Sequence, residues 1–152
     1  MISVRVYGIV LTEDRKLVLS DEYIRGGYYT KFPGGGLELG EGTRGCLERE
    51  LMEEMQLKAS IGAHIYTTDF YQQSAFNPAH QILSIYYFAH PEEPFKISFK
   101  EKPFDFFPEQ VANPMGTAET FRLVSLEDLS EEMVTLPIDK IVVGLIRNNL
   151  KT

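Results

Sequence analysis

From Thr43 to Gln56 the chain carries no proline, and Leu47, Leu51 and Met55 return every four residues. Such a recurrence is one stripe of an amphipathic helix, because residues four apart share a face at 3.6 residues per turn. A helix with an apolar stripe needs a packed surface to rest on, so this segment predicts a folded domain. Immediately upstream stands Pro33-Gly34-Gly35-Gly36. Three glycines in a row forbid regular structure on this reading and predict a loop that feeds the helix.

The rest of the chain surrounds this helix with strands. Val4 to Leu11 and Lys16 to Ser20 are β-branched and apolar and are separated by Thr12-Glu13-Asp14-Arg15, which predicts a hairpin. Gly26 to Phe32 predicts a short strand arriving at the glycines. Ala59 to Tyr71 and Gln81 to Ala89 predict two antiparallel strands, with the turn-forming Asn77-Pro78 between them. Pro91 to Pro114 holds five prolines and five phenylalanines (Phe95, Phe99, Phe104, Phe106 and Phe107), which predicts a folded-back irregular insert with one strand near Ile97. Phe121 to Val124 predicts a last strand. Ile138 to Leu150, with Ile141, Val142, Leu145 and Ile146 on one face, predicts a closing helix. Together these make an α+β or α/β sandwich without internal repeats, and 152 residues predict a single domain over 1–152.

Composition narrows the function. An apolar share of 43% with 24% charge is that of a globular protein. No run reaches the roughly 18 apolar residues that cross a bilayer, and Met1 to Val10 lacks a basic region followed by an apolar core. The expectation is a cytoplasmic protein without a membrane partner. Cys46 is the single cysteine, which excludes an intramolecular disulfide, and His64, His80 and His90 are too scattered for a zinc pattern. The formal charge of -7 speaks against binding a nucleic acid polymer. A small phosphorylated substrate stays open, since bound divalent cations reverse the sign of a carboxylate-rich site.

Such a site is suggested by Glu50, Glu53 and Glu54, which lie at i, i+3 and i+4 and project from one face of the helix. Like charges this close repel, so a positive group is expected among them. An oxygen-seeking cation such as Mg²⁺ or Mn²⁺ suits that role, and Arg49 can hold one carboxylate by a bidentate contact. A solvated acidic helix face is the alternative. The neighbours weigh against it: the three glycines, then Glu38, Gly40 and Glu41, bring backbone groups and further carboxylates to the same place.

Gly35, Glu41 after five residues, Arg49-Glu50-Leu51 after seven more, then Glu53-Glu54 and Leu57 together resemble the Nudix box. Eight of its nine specified positions match over 23 residues, and the departure is Gln56, where the pattern has glycine. Glutamine at a left-handed helix end costs on the order of 1 kcal/mol unless the turn is rebuilt. The order of elements is also similar to that family, as is Glu119 to Leu129, while the Pro91 to Pro114 insert lies outside the likeness.

The resemblance implies an α/β/α sandwich with a mixed sheet and hydrolysis of a phosphoanhydride bond in a nucleoside diphosphate-linked substrate. It implies Mg²⁺ or Mn²⁺ held by Glu50, Glu53 and Glu54 with the carbonyl of Gly34 or Gly35, and Glu41 as a further ligand or a supporting partner. It gives Arg49 the task of orienting a glutamate and leaves the general base between Glu50 and Glu119. Tyr28, Tyr29, Phe70 and Tyr71 are candidates to stack on a base, or core aromatics. Arg25 and Lys31 are candidates for phosphates or sugars, or solvated charges. Nucleoside triphosphates, nucleotide sugars and dinucleotides all stay open. Two other readings stand beside the enzyme: a non-catalytic Nudix-like module that binds a nucleotide metabolite, and an interaction protein, possible homodimer included, using the Phe104 to Phe107 cluster.

Overall fold

The computed structural model describes residues 1–150. In chain order the elements are β1 (Ile2–Val10), β2 (Lys16–Ile24), β3 (Gly27–Lys31), β4 (Gly34–Gly36), α1 (Thr43–Met55), β5 (Ala59–Thr67), β6 (Gln81–Pro91), β7 (Thr117–Ser125) and α2 (Pro137–Leu150), with short 3-10 turns before and after β7. Two compact units share them. One comprises Met1–Leu11 and Pro33–Lys96, the other Thr12–Phe32 and the chain from Ile97 on. The fold is α+β, with two helices and mixed sheets.

In the first unit the strand order is β4-β1-β6-β5. β1 runs parallel to β6 and antiparallel to β4, and β5 pairs antiparallel with β6 as its sequence predicts. The helix stripe behaves as predicted: Leu47, Leu51 and Met55 are fully buried, together with Cys46. Gly8 of β1 leaves room for this packing, because a Cβ there would sit 3.2 Å from both methyls of Leu47. Burying each of these large side chains contributes about 1.5 to 3 kcal/mol.

Two expectations fail here, for one physical reason each. Gly34–Gly36 is no loop but a strand, with Tyr7 opposite Gly34, Val6 opposite Gly35 and Arg5 opposite Gly36. Glycine is what permits the pairing: at Gly34, with φ at +150°, any Cβ would collide with the Val6 carbonyl and the Tyr7 backbone. The predicted hairpin between the first two strands does not form either, since β1 and β2 belong to different sheets. Both edges of β1 are taken by β4 and β6, and both edges of β2 by β3 and β7. Alternating apolar residues mark a strand without naming its partner.

The second unit orders its strands β3-β2-β7, all antiparallel. Asp21 on β2 is fully buried and receives two hydrogen bonds from Arg122 of β7, at 2.6 and 2.9 Å, and one from Thr30 of β3 at 2.7 Å. A buried charge is tolerable only when paired and hydrogen-bonded in this way. Thr30 also exchanges bonds with Thr135, N–H to Oγ1 at 2.8 Å and carbonyl to N–H at 3.0 Å, which ties β3 to the segment entering α2. Ile138, Val142, Val143 and Ile146 are the buried face of that helix.

Of the predicted insert, residues up to Lys96 belong to the first unit and those from Ile97 to the second. No strand forms near Ile97 among the described residues; prolines limit the backbone N–H groups on offer, and Lys100 gives its N–H to the Phe121 carbonyl at 2.8 Å instead. Phe104 turns back at φ 56° and sets its ring edge-on to Tyr28, which in turn lies against Tyr23. Phe107 is 67% exposed. No helix among the described residues is long and apolar enough to cross a membrane.

Gln56 ends α1 in the left-handed conformation at φ 52° and ψ 34°, and the following Leu57 N–H closes back on the Leu51 carbonyl at 3.3 Å. The turn is thus built as glycine would build it, at a residue with a Cβ. Gln56→Gly is expected to raise stability by about 1 kcal/mol in urea unfolding; a loss of similar size would show that the glutamine side chain holds the turn.

Candidate active site

The candidate site is built where the second half of α1 is set against β4. Residues at i, i+1 and i+4 of the helix place Arg49, Glu50 and Glu53 on adjoining faces, and the paired glycine strand brings bare backbone to meet them. A Cβ on Gly35 would lie 2.5 and 2.6 Å from the two oxygens of Glu50. No residue but glycine lets this carboxylate seat itself on the strand.

Arg49 occupies the centre. Its Nε and Nη2 donate to the two oxygens of Glu41 at 2.9 and 2.7 Å, its Nη1 to Glu50 at 2.9 Å and Glu53 at 3.2 Å, and its Nη2 to the Gly36 carbonyl at 3.0 Å. Glu38 stands at 3.7 Å from Nη1. The fork on Glu41 is the bidentate geometry that makes guanidinium–carboxylate pairs strong. Hydrogen bonding from Arg49, reinforced by the Glu38 N–H, holds the Glu41 carboxyl down to about 2, and the Glu41 contact in turn raises Arg49. Burial, with Glu41 as neighbour, pushes the Cys46 thiol up to about 12, so Cys46 is a packing residue here and no nucleophile.

The positive group expected between the helix glutamates is therefore present as Arg49. Glu41, Glu50 and Glu53 all reach it, and Glu54 lies half-buried beside them on α1. Among the described residues no three His, Cys, Asp or Glu side chains already converge as a metal cage. The donor chemistry nonetheless fits a hard divalent cation: every available ligand is an oxygen, from carboxylates or from glycine backbone that a Cβ would have blocked.

The other predicted residues divide between the units. Phe70 and Tyr71, in the segment after β5, are 41% and 69% exposed. Arg25 lies in the β2–β3 turn at φ 48°, and Tyr28 is half-exposed within the Tyr23–Phe104 cluster. Lys31 is 5% exposed, with its ammonium 3.0 Å from Glu22. Glu119 on β7 faces Glu22 across the sheet and accepts a hydrogen bond from Ser20 at 2.7 Å. Burial, and then the Glu22 carboxyl, push it up to about 8. Sequence reasoning passed over Ser20 and Glu22; their signal is the strand period of two, which puts both on one face of β2.

A family model described as NUDIX domain matches residues 1–142. Solved structures with the same fold include a MutT protein from Methanosarcina mazei Go1, at 17% identity and TM-score 0.68, covering 99% of this chain and 96% of that one. A NUDIX hydrolase from Nitrosomonas europaea has 18% identity and TM-score 0.67, with 98% and 90% covered. An ADP-ribose pyrophosphatase from Streptococcus suis 89-1591 has 15% identity and TM-score 0.60, with 99% and 92% covered. No curated protein matches the chain.

Removing the central cation should expose the repulsion it suppresses. Arg49→Met is expected to lower stability at neutral pH, and the deficit should shrink as pH falls below the ordinary carboxylate range toward about 2, because protonation then relieves the unpaired Glu41 in the variant while removing its stabilising pair in wild type. Urea unfolding of both proteins across that range checks it; a deficit independent of pH would assign Arg49 a packing role alone.

Proposed function

This chain belongs to the Nudix family, its NUDIX domain running over residues 1–142, and from that premise we propose that it is a divalent-metal-dependent hydrolase of phosphoanhydride bonds in nucleoside diphosphate-linked substrates. The observation that carries this reading is the meeting of Glu41, Glu50 and Glu53 at Arg49, with Glu50 seated against the bare backbone of Gly35.

In this reading Glu53 and Glu54 hold Mg²⁺ or Mn²⁺, together with a carbonyl of Gly34 or Gly35. The bound ion supplies neutralisation of diphosphate charge and a water of lowered pKa. Glu41 and Arg49 form the frame: the bidentate pair fixes the guanidinium, which in turn orients Glu50. The general base is assigned to Glu50. A base must be ionised at the working pH, and Glu119, pushed up to about 8, keeps its proton at neutrality. The name of the Streptococcus suis neighbour, an ADP-ribose pyrophosphatase, supports including nucleoside diphosphate sugars among the substrates, beside the dinucleotides and nucleoside triphosphates that the resemblance leaves open. Phe70 and Tyr71, exposed side chains of the unit that carries α1, are proposed to meet base or sugar; Arg25 and Tyr28 are exposed in the second unit.

A hydrolysis screen over such a panel, with Mg²⁺ or Mn²⁺ and identified products, tests the proposal. Glu53→Gln and Glu54→Gln should each lose more than about 10-fold in metal affinity, with turnover falling alongside and the fold intact. Glu50→Gln should lower kcat by about 100- to 10,000-fold with a small change in KM, and further than Glu119→Gln does. A larger loss of kcat at Glu119 than at Glu50 would return the base to Glu119. Nucleotide binding without turnover on any substrate would favour the non-catalytic module.

A further inference from the structure

The second unit holds a group of titratable side chains of its own on one face of its sheet. Ser20 and Glu22 share that face of β2; Lys31 of β3 stands opposite Ser20, and Tyr29 of β3 and Glu119 of β7 flank Glu22. The site is largely closed, with the side chains of Lys31 and Glu22 at 7% and 17% exposure. The charges do not balance if both carboxyls ionise. Lys31 stands 3.0 Å from Glu22, and Glu119 receives the neutral Ser20 hydroxyl at 2.7 Å. Arg122, the cation of β7 nearest in sequence, serves Asp21 on the opposite face. Two neighbouring carboxyls with one cation between them are expected to keep one proton.

We propose that Glu22 and Glu119 share a single proton, and that this proton is a clasp between β2 and β7 which alkaline solution opens. In this clasp Glu119, opposite Glu22 in the β2–β7 register, carries the proton and Glu22 accepts it. Burial followed by the Glu22 carboxyl pushes Glu119 up to about 8. Burial also opposes the charge on Glu22, but the hydrogen bond from Glu119 and the Lys31 ammonium outweigh it and bring Glu22 below its ordinary value. In the unfolded chain both carboxyls titrate near about 4.3. The folded protein therefore holds one more proton than the unfolded chain between that value and about 8. Its stability falls as pH climbs through this window and levels off above it.

The clasp is tested without substrate. Carbon NMR of the glutamate carboxyls in the full chain should show one group titrating near 8, and the melting temperature should decline from mildly acid pH to that point and then flatten. Glu119→Gln keeps a donor toward Glu22 through its amide and should remove both the alkaline titration and the decline. Ser20→Ala deletes a hydroxyl that stabilises charge on Glu119 and should shift the titration further alkaline. Glutamates that are all ionised by mildly acid pH would overturn the proposal. So would a decline that persists in Glu119→Gln, or, should that variant not fold, a titration unmoved by Ser20→Ala.

Discussion

Repulsion among carboxylates is the constraint around which the first unit is arranged. Glu50 and Glu53 on α1 and Glu41 before it stand within reach of one guanidinium, and Arg49 answers all three while also bonding the Gly36 carbonyl. Like charges at helical spacing destabilise a helix, so α1 carries its acidic face at a cost that Arg49 offsets. Two other features exist to support that contact. The stripe of Leu47, Leu51 and Met55 anchors α1 to its sheet, and the glycine strand places backbone where side chains would collide with Glu50.

The second unit solves related problems differently. Asp21 is neutralised by a full ion pair with Arg122, bidentate and buried. Glu22, its neighbour on the other face of β2, leans on Lys31 and on the carboxyl of Glu119. A carboxylate in a low-dielectric site needs a cation, a proton or a metal. Asp21, the Glu22–Glu119 pair and the α1 glutamates illustrate the first two, and the third is what the proposed function adds.

Local periodicity carried much of this into the sequence. The four-residue recurrence of α1, the antiparallel β5 and β6 and the closing helix were all legible, because each depends on residues near one another in the chain. What escaped depends on distant partners. β1 finds β6 rather than β2, and nothing in the Val4 to Leu11 pattern encodes that choice. Gly34–Gly36 has no side chains to betray a strand, and pairs because β1 offers it an edge that only bare backbone can approach. The side-chain clusters divide the same way: the box glutamates and Arg49 were visible as a spacing, whereas Ser20 and Glu22 join Lys31 and Glu119 only through cross-strand register.

The account stands on Glu53 having two alternative partners, Arg49 in the structure described and a divalent cation in the proposed enzyme. A Mg²⁺ titration followed at the side-chain N–H signals of Arg49 measures that exchange at the atoms concerned. The account predicts a saturable shift of these signals in the wild-type chain and none when Glu53→Gln and Glu54→Gln are combined. Arg49 signals that stay fixed through a concentration of Mg²⁺ that supports hydrolysis would contradict it.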